Sequence, residues 1–410
     1  MADLRSPYVA PNGECSQVSI FRKCDEYTLA RETQAAGLYP YFVPIEASTA
    51  TEARIGGEWK IMVGSNNYLG LTHHPEILAA ARAALATYGS GSTGSRLLNG
   101  TLSLHEQLEE RLARFFHKNS ALVFTTGYQA NLGAVAALIG RDDHVFLDRL
   151  DHASIVDGAK LSYGHVHRYP HGDAVSLARQ LAALPSNVGK LVVTDGVFSM
   201  EGTIANLPAI VAAARAHRSA VLVDEAHAVG VFGPNGAGTA EHFGISDQVD
   251  LIMGTFSKSL ASVGGVVAGD ESVIHWLRHH SRALIFTASM PPASVAGVLA
   301  ALDIIEREPE RRERLWANTA RVAAALPALG FDIGESETPI IPVVIGDLVR
   351  TLQLWRALFD DGVFTHPIVP PAVPPTSCRL RVSMSAEHTD EQIDRVLGAF
   401  ERVARAMVTA

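Results

Sequence analysis

The sequence predicts an α/β protein: a large domain built on a mostly parallel sheet with helices on both faces, then a smaller C-terminal α+β domain. Three observations predict it. Five short apolar runs, ALVF at 121–124, HVFL at 144–147, LVV at 191–193, VLV at 221–223 and LIM at 251–253, read as buried strands. Ala-, Leu- and Arg-rich stretches such as 176–184 and 210–217 lie between them and suit helices. Buried strands alternating with helices indicate a parallel sheet covered on both faces. Residues able to do chemistry follow directly on the runs, at 125–128, 148–154, 195–201, 224–227 and 255–259. In open α/β sheets ligands bind outside the carboxyl ends of the strands, so these clusters point to one shared pocket.

Along the chain, residues 1–57 are expected to form an N-terminal segment, 58–290 the large domain and 291–410 the C-terminal domain. Residues 1–17 contain no long apolar stretch after a basic start, so no secretion signal is expected. The run GSGSTGSRLLNG at 89–100 is too glycine-rich for a regular element and leads into a helix at 102–116. The pattern changes at 290–292, where a helical stretch at 293–307 opens the C-terminal domain. A proline-dense loop at 367–375 there precedes a strand at 379–383. The 34 basic residues against 43 acidic ones leave a net charge of -9, which repels a polyanion and argues against nucleic-acid binding. No run of about 18 apolar residues exists, so no transmembrane segment is expected. Cys15, Cys24 and Cys378 lack metal-type spacing and read as reduced thiols of a cytoplasmic protein.

Lys258 stands in GTFSKS at 254–259, between a strand and the pair Gly264–Gly265. An exposed surface lysine is the plain alternative, but the hydroxyls of Thr255, Ser257 and Ser259 crowd it. An amine beside phosphate-binding hydroxyls is what a cofactor carrying both an aldehyde and a phosphate requires. That description fits pyridoxal 5′-phosphate (PLP). Asp224, in VDEAH, follows a strand and could pair with the ring nitrogen, keeping it protonated; a merely structural strand-end aspartate stays open. His227 could reach the phenolic oxygen of the same ring. The letters DEAH also match a helicase box, but the phosphate loop such a box needs upstream is missing. His152, in DHAS, could stack on a cofactor ring and move protons, although a lone histidine is often structural. Gly127 and Tyr128 offer backbone N–H groups at a helix start, a natural phosphate site. Ser199 could bond a ring substituent or be a turn serine, and Glu201 reads as a helix-start carboxylate.

Taken together, NNYLGL at 66–71, GSGSTGSRLLNGT at 89–101, TTGYQANLG at 125–133, DHASIVDG at 151–158, DGVFSMEG at 195–202, VDEAHAVGVFGPNGAGT at 223–239 and GTFSKSLASVGG at 254–265 resemble the α-oxoamine synthases. These are fold-type-I, aspartate-aminotransferase-like PLP enzymes, and the resemblance runs from Gly37 to the C-terminal helix. It implies that Lys258 carries the cofactor as a Schiff base and removes the substrate's α-proton. It implies further that Asp224 and His227 hold the ring, that His152 stacks on it, and that Gly127, Tyr128, Thr255 and Ser257 grip the phosphate. Members are homodimers with sites at the subunit interface, so Thr287 and Ala288 would reach the partner's phosphate. Asn67 and Arg381 would bind the substrate carboxylate; the arginine's planar fork suits that task, and a strand arginine with a surface partner is the alternative.

GLYPYFVPI, TDGVFSMEGTIANLP, VDLIMGTFSKSLAS, FTASMPPASVA and DGVFTHPIVPPAVP look most like the soluble bacterial branch that joins L-serine to palmitoyl-CoA. The implied products are 3-ketodihydrosphingosine, CoA and CO2. Val43 and Val369 stand where that branch carries arginines, both where substrate would be contacted. Ala372 occupies the place of a substrate-binding threonine in the biotin-pathway sibling, 8-amino-7-oxononanoate synthase. That enzyme and glycine C-acetyltransferase, which use alanine or glycine with other acyl thioesters, are the alternatives. A ligand-sensing half of a transcription regulator would need a basic DNA-binding segment, and none is seen. Acyl-chain length and transient membrane contact are left open.

Overall fold

The computed structural model describes residues 20–409, with side chains to 406. Cys15 and the 1–17 stretch lie outside the described residues. All five expected strands are present: β1 (Ser120–Phe124), β2 (His144–Asp148), β4 (Lys190–Asp195), β5 (Ala220–Asp224) and β6 (Leu251–Thr255). Two more, β3 (His165–Tyr169) and β7 (Gly265–Gly269), complete a seven-stranded sheet of order β1-β7-β6-β5-β4-β2-β3. β7 runs antiparallel to both its neighbours, and the other pairs are parallel.

The apolar runs are continuous because both faces are covered. Phe146, Val192, Val221 and Val223 point into one core; Leu147, Val193 and Leu222, one residue out of phase, point into a second on the opposite face. The first core is closed by helices including α1 (Ser103–Phe115) and α4 (Leu207–Ala216). The second is closed by α2 (Gly127–Leu138) and α3 (Ala153–Leu161). Each fully buried Val or Leu here contributes roughly 1.5–3 kcal/mol. The parallel register sets Asp195, the last residue of β4, directly beside Asp224, the last of β5. Register thus gathers strand-end carboxylates on one edge.

The glycine-rich run is irregular for the expected reason. A Cβ on Gly100 would lie 2.2 Å from the Gly94 carbonyl oxygen. The loop is pinned by a buried pair, with Arg96 donating to the Glu109 carboxylate at 2.7 and 3.1 Å while that carboxylate also accepts from the Val123 N–H at 3.0 Å.

The C-terminal part begins with α5 (Pro292–Arg307), whose proline sits in its first turn, where the missing N–H is no loss. It then builds a three-stranded antiparallel sheet from β8 (Ile340–Val344), β9 (His366–Ile368) and β10 (Arg379–Ser383), with β10 central. The boundary expected after residue 57 falls in the turn of a hairpin between Glu52–Ile55 and Glu58–Met62, where Gly56 and Gly57 have positive φ. Glu58–Met62 also pairs in parallel with Val363–Phe364, tying the early residues to the C-terminal part.

Candidate active site

A cavity of about 340 Å³ opens at the carboxyl ends of β4, β5 and β6 and the start of α2. Lys258 enters it from the loop after β6. Burial pulls its pKa down to about 8; nearby Asp224 and Asp195 favour the charged amine and Arg381 disfavours it. Asp224 is held from two sides: Oδ1 accepts from the Ala226 N–H at 2.8 Å and Oδ2 from Asn131 Nδ2 at 2.6 Å. His227 lies in the same wall, its Nδ1 2.7 Å from the Tyr68 hydroxyl. Burial and the neighbouring Lys258 push His227 well below the usual histidine range, and burial raises Tyr68 to about 12. The imidazole is therefore neutral and the phenol keeps its proton.

Opposite lies an anion cradle. Gly127 opens α2, which Thr126 caps by accepting from the Gln129 N–H at 3.1 Å. Thr255 and Ser257 present hydroxyls 3.1 Å apart beside it. A Cβ on Gly127 would lie 2.6 Å from Thr255 Oγ1, so only glycine brings this helix start so close to the hydroxyl. Hydroxyls at a helix N-terminus suit a phosphate, Lys258 suits an aldehyde, and the Asp224 carboxylate suits a protonated ring nitrogen. The donor set fits PLP.

Tyr128, His152 and Ser199 also line the cavity, so nine of the expected residues converge there. The Tyr128 hydroxyl is bound to the Asp157 carboxylate, and its ring meets that of His152 edge-on at 6.2 Å. Four expected residues lie outside. Thr287 accepts from Gln129 Nε2 at 3.3 Å and the Ala288 carbonyl from Thr125 Oγ1 at 2.6 Å, beside the start of α2 and next to exposed Phe286. Arg381, on β10, donates to Asn66 Oδ1 at 2.7 Å and to the Tyr68 hydroxyl at 3.3 Å, leaving its Nε buried without a partner. Asn67 is turned elsewhere: its amide donates to the Ala50 carbonyl and to Thr72 Oγ1. Asn66, its neighbour, is the asparagine that meets Arg381. Ser259 does not line the cavity; it packs where a Cβ on Gly230 would sit, 2.7 Å from its own Cβ. Glu201 starts no helix and pairs with Arg379 at 3.5 Å.

Sequence reasoning missed Asn131, Ser154, Tyr68 and Asn66, and gave Asp195 no role. Asp195 Oδ2 accepts from the His152 N–H at 2.9 Å, and Asp151 Oδ1 from the Asp195 N–H at 3.0 Å, clasping the His152 loop to β4. Burial first, then the neighbouring carboxylates, raise both aspartates well above the usual carboxyl range. The one available signal was Asn131, the single polar residue of its helix after Gln129, where every other position is small or apolar.

Fold and site define a PLP-dependent enzyme of the aminotransferase-like fold. The chain matches the aminotransferase class I and II family over residues 58–400, and it belongs to that family, within its α-oxoamine synthase branch of acyltransferases. It is 48% identical over 388 residues to a serine palmitoyltransferase of Sphingobacterium spiritivorum, covering 95% of this chain and 97% of the relative. An 8-amino-7-oxononanoate synthase of Thioalkalivibrio sulfidiphilus is 44% identical over 382 residues, covering 93% and 97%. Among solved structures, the Sphingomonas wittichii serine palmitoyltransferase superposes with a TM-score of 0.93 at 39% identity, covering 96% of this chain and 100% of that one. A high-resolution structure of SPT with a PLP internal aldimine gives 0.92 at 39% identity, with the same coverage. Among the described residues no helix is long and apolar enough to cross a membrane.

Proposed function

We propose that the protein joins L-serine to a long-chain acyl-CoA, palmitoyl-CoA in the first instance, releasing CO2 and CoA and giving 3-ketodihydrosphingosine. The observation that carries this reading is the convergence of the Lys258 amine, the Asp224 carboxylate and the Thr255–Ser257–Gly127 cradle on one cavity, with the buried Arg381 close enough to act on the charge of Lys258. In this reading Lys258 holds PLP covalently, Gly127, Tyr128, Thr255 and Ser257 surround its phosphate, Asp224 meets the ring nitrogen, His227 and Ser199 face the ring oxygen, and His152 lies against the ring. Bound there, the cofactor supplies an electron sink for charge at the amino acid's α-carbon. Lys258 Nζ accepts the α-proton, a task suited to an amine that is neutral above about pH 8. Arg381 takes the substrate carboxylate through its unpaired Nε, with Asn66 fixing the guanidinium plane. We take the working unit to be a cytoplasmic homodimer in which Thr287 and Ala288 approach the partner's phosphate.

Charge selects the acyl donor. Two apolar cavities of about 370 and 420 Å³ adjoin, sharing Pro40, Tyr41, Phe42, Pro367 and Ile368. Val43 lines the first; Val369 and Ala372 line the second. Among the described residues, neither lining includes a lysine or arginine, and burial keeps His366 below the usual histidine range. A hydrocarbon tail is at home there, whereas a donor ending in a carboxylate would bury a charge without a partner. The second reading, alanine with another acyl thioester, is favoured by the similarity to the Thioalkalivibrio relative. Spectral titration with serine, alanine and glycine, then CoA-release assays from C4 to C18 donors, separates the two. Turnover of alanine but not serine would sink the serine reading.

A further inference from the structure

The hydrogen bonds behind His152 dictate where its proton sits. His152 caps α3: its Nδ1 accepts from the Ser154 backbone N–H at 3.3 Å and lies 2.8 Å from Ser154 Oγ. Ser154 Oγ is 2.9 Å from Asn131 Nδ2, and the same nitrogen is 2.6 Å from Asp224 Oδ2. Donor counting gives this chain a direction. An ionised carboxylate only accepts, so Asn131 must turn its NH2 group toward Asp224. The second N–H of that group goes to Ser154 Oγ, and the single serine proton is left for His152 Nδ1. Nδ1 therefore receives two donors and carries no proton, which places the proton of the neutral ring on Nε2.

Two further observations agree. Asn131 and Ser154 are 0% and 1% exposed, so water does not replace either partner. Asn131 Oδ1 is buried without a hydrogen bond. An orphaned buried acceptor is destabilising, and here it accompanies an amide whose two donors are both engaged. Burial also lowers the His152 pKa, against the pull of Asp224 and with the help of Lys258.

We propose that Asn131 and Ser154 are positioning residues that hold His152 in its Nε2–H tautomer, so that the ring meets the contents of the cavity as a neutral hydrogen-bond donor and not as a base. Only the catalytic consequence rests on the function proposed above; the tautomer does not. The test uses cofactor-free protein labelled with ¹⁵N-histidine, with His152 identified by loss of its signals in His152→Gln. Long-range ¹H–¹⁵N spectra of the wild type should show Nδ1 as the unprotonated nitrogen and Nε2 as the protonated one. Ser154→Ala should bring in the Nδ1–H form, and Ser154→Thr, which keeps the hydroxyl, should restore the wild-type pattern. In the holoenzyme Ser154→Ala should lower kcat by about ten-fold, the worth of one hydrogen bond, with cofactor affinity unchanged. A wild-type ring protonated on Nδ1 overturns the proposal whatever the Ser154 variants do. So does a folded Ser154→Ala protein with unchanged His152 signals. If serine is not turned over at all, the proposed function fails while the tautomer is still judged on its spectrum.

Discussion

Raising the pH should speed capture of pyridoxal phosphate by the cofactor-free protein, and the gain should level off early. Only the neutral amine attacks an aldehyde. Burial holds Lys258 at a pKa of about 8, so its neutral fraction is about 9% at pH 7 and about 90% at pH 9, a rise of about ten-fold with a plateau beyond. A solvent-exposed lysine near pKa 10.4 would gain about a hundred-fold over the same range and keep rising. Stopped-flow absorbance of the borohydride-reducible band measures the rate, and Lys258→Ala should show no band. A log-linear rise through pH 10 would refute the argument, because the amine would then be an ordinary surface lysine. The burial also bears on stability. The folded pKa lies below the unfolded one, so the lysine destabilises the cofactor-free fold at neutral pH. That penalty fades as pH climbs from about 8 toward the unfolded value near 10.4. Lys258→Met should therefore raise cofactor-free stability at pH 7 by about 1–3 kcal/mol in urea unfolding, with a smaller gain at pH 10.

Other sites give equally direct outcomes. Arg381→Ala should weaken serine binding by about ten- to a hundred-fold in spectral titration, the loss of a charge-assisted pair; an unchanged affinity would remove Arg381 from the carboxylate site. Gly127→Ala forces a methyl to within 2.6 Å of Thr255 Oγ1, and overpacking of this kind costs about 1–3 kcal/mol, so the Kd for PLP should rise at least about ten-fold. Val369→Trp would fill the second apolar cavity and should shift CoA release toward short donors, with serine affinity unaltered; retention of the wild-type chain-length profile would show that the tail lies elsewhere. Glu109→Gln breaks a buried ion pair with Arg96 and should cost about 3–5 kcal/mol in urea unfolding, and a loss below about 1 kcal/mol would mean the pair does not anchor the glycine-rich loop.

The five strands could be read from the sequence because a strand covered on both faces must be apolar at every position, and ALVF or VLV says so locally. β3 and β7 escaped for opposite reasons. β3 is an edge strand in which only Tyr169 is buried, and its histidines carry no apolar run. β7 is wholly buried, but its two valines and an alanine between glycines are too brief to distinguish from a loop. Lys258, Asp224 and Thr255 were readable because each ends or directly follows a strand, where the fold class alone implies a pocket.

Asn66, Tyr68, Asn131 and Ser154 are chemically ordinary residues on other segments, and no spacing in the chain relates them to their partners. Asn131 lies 93 residues from Asp224, and Arg381 lies 315 from Asn66. Asn66 and Asn67 show the limit most simply: adjacent backbone positions send their side chains to different partners, Arg381 for the first and Ala50 with Thr72 for the second. Chain-local burial patterns thus specify elements and the edge on which the chemistry gathers. Which donor faces which acceptor is decided by strand register and helix packing, because a hydrogen bond requires atoms within about 3 Å and nothing short of the folded chain sets that distance.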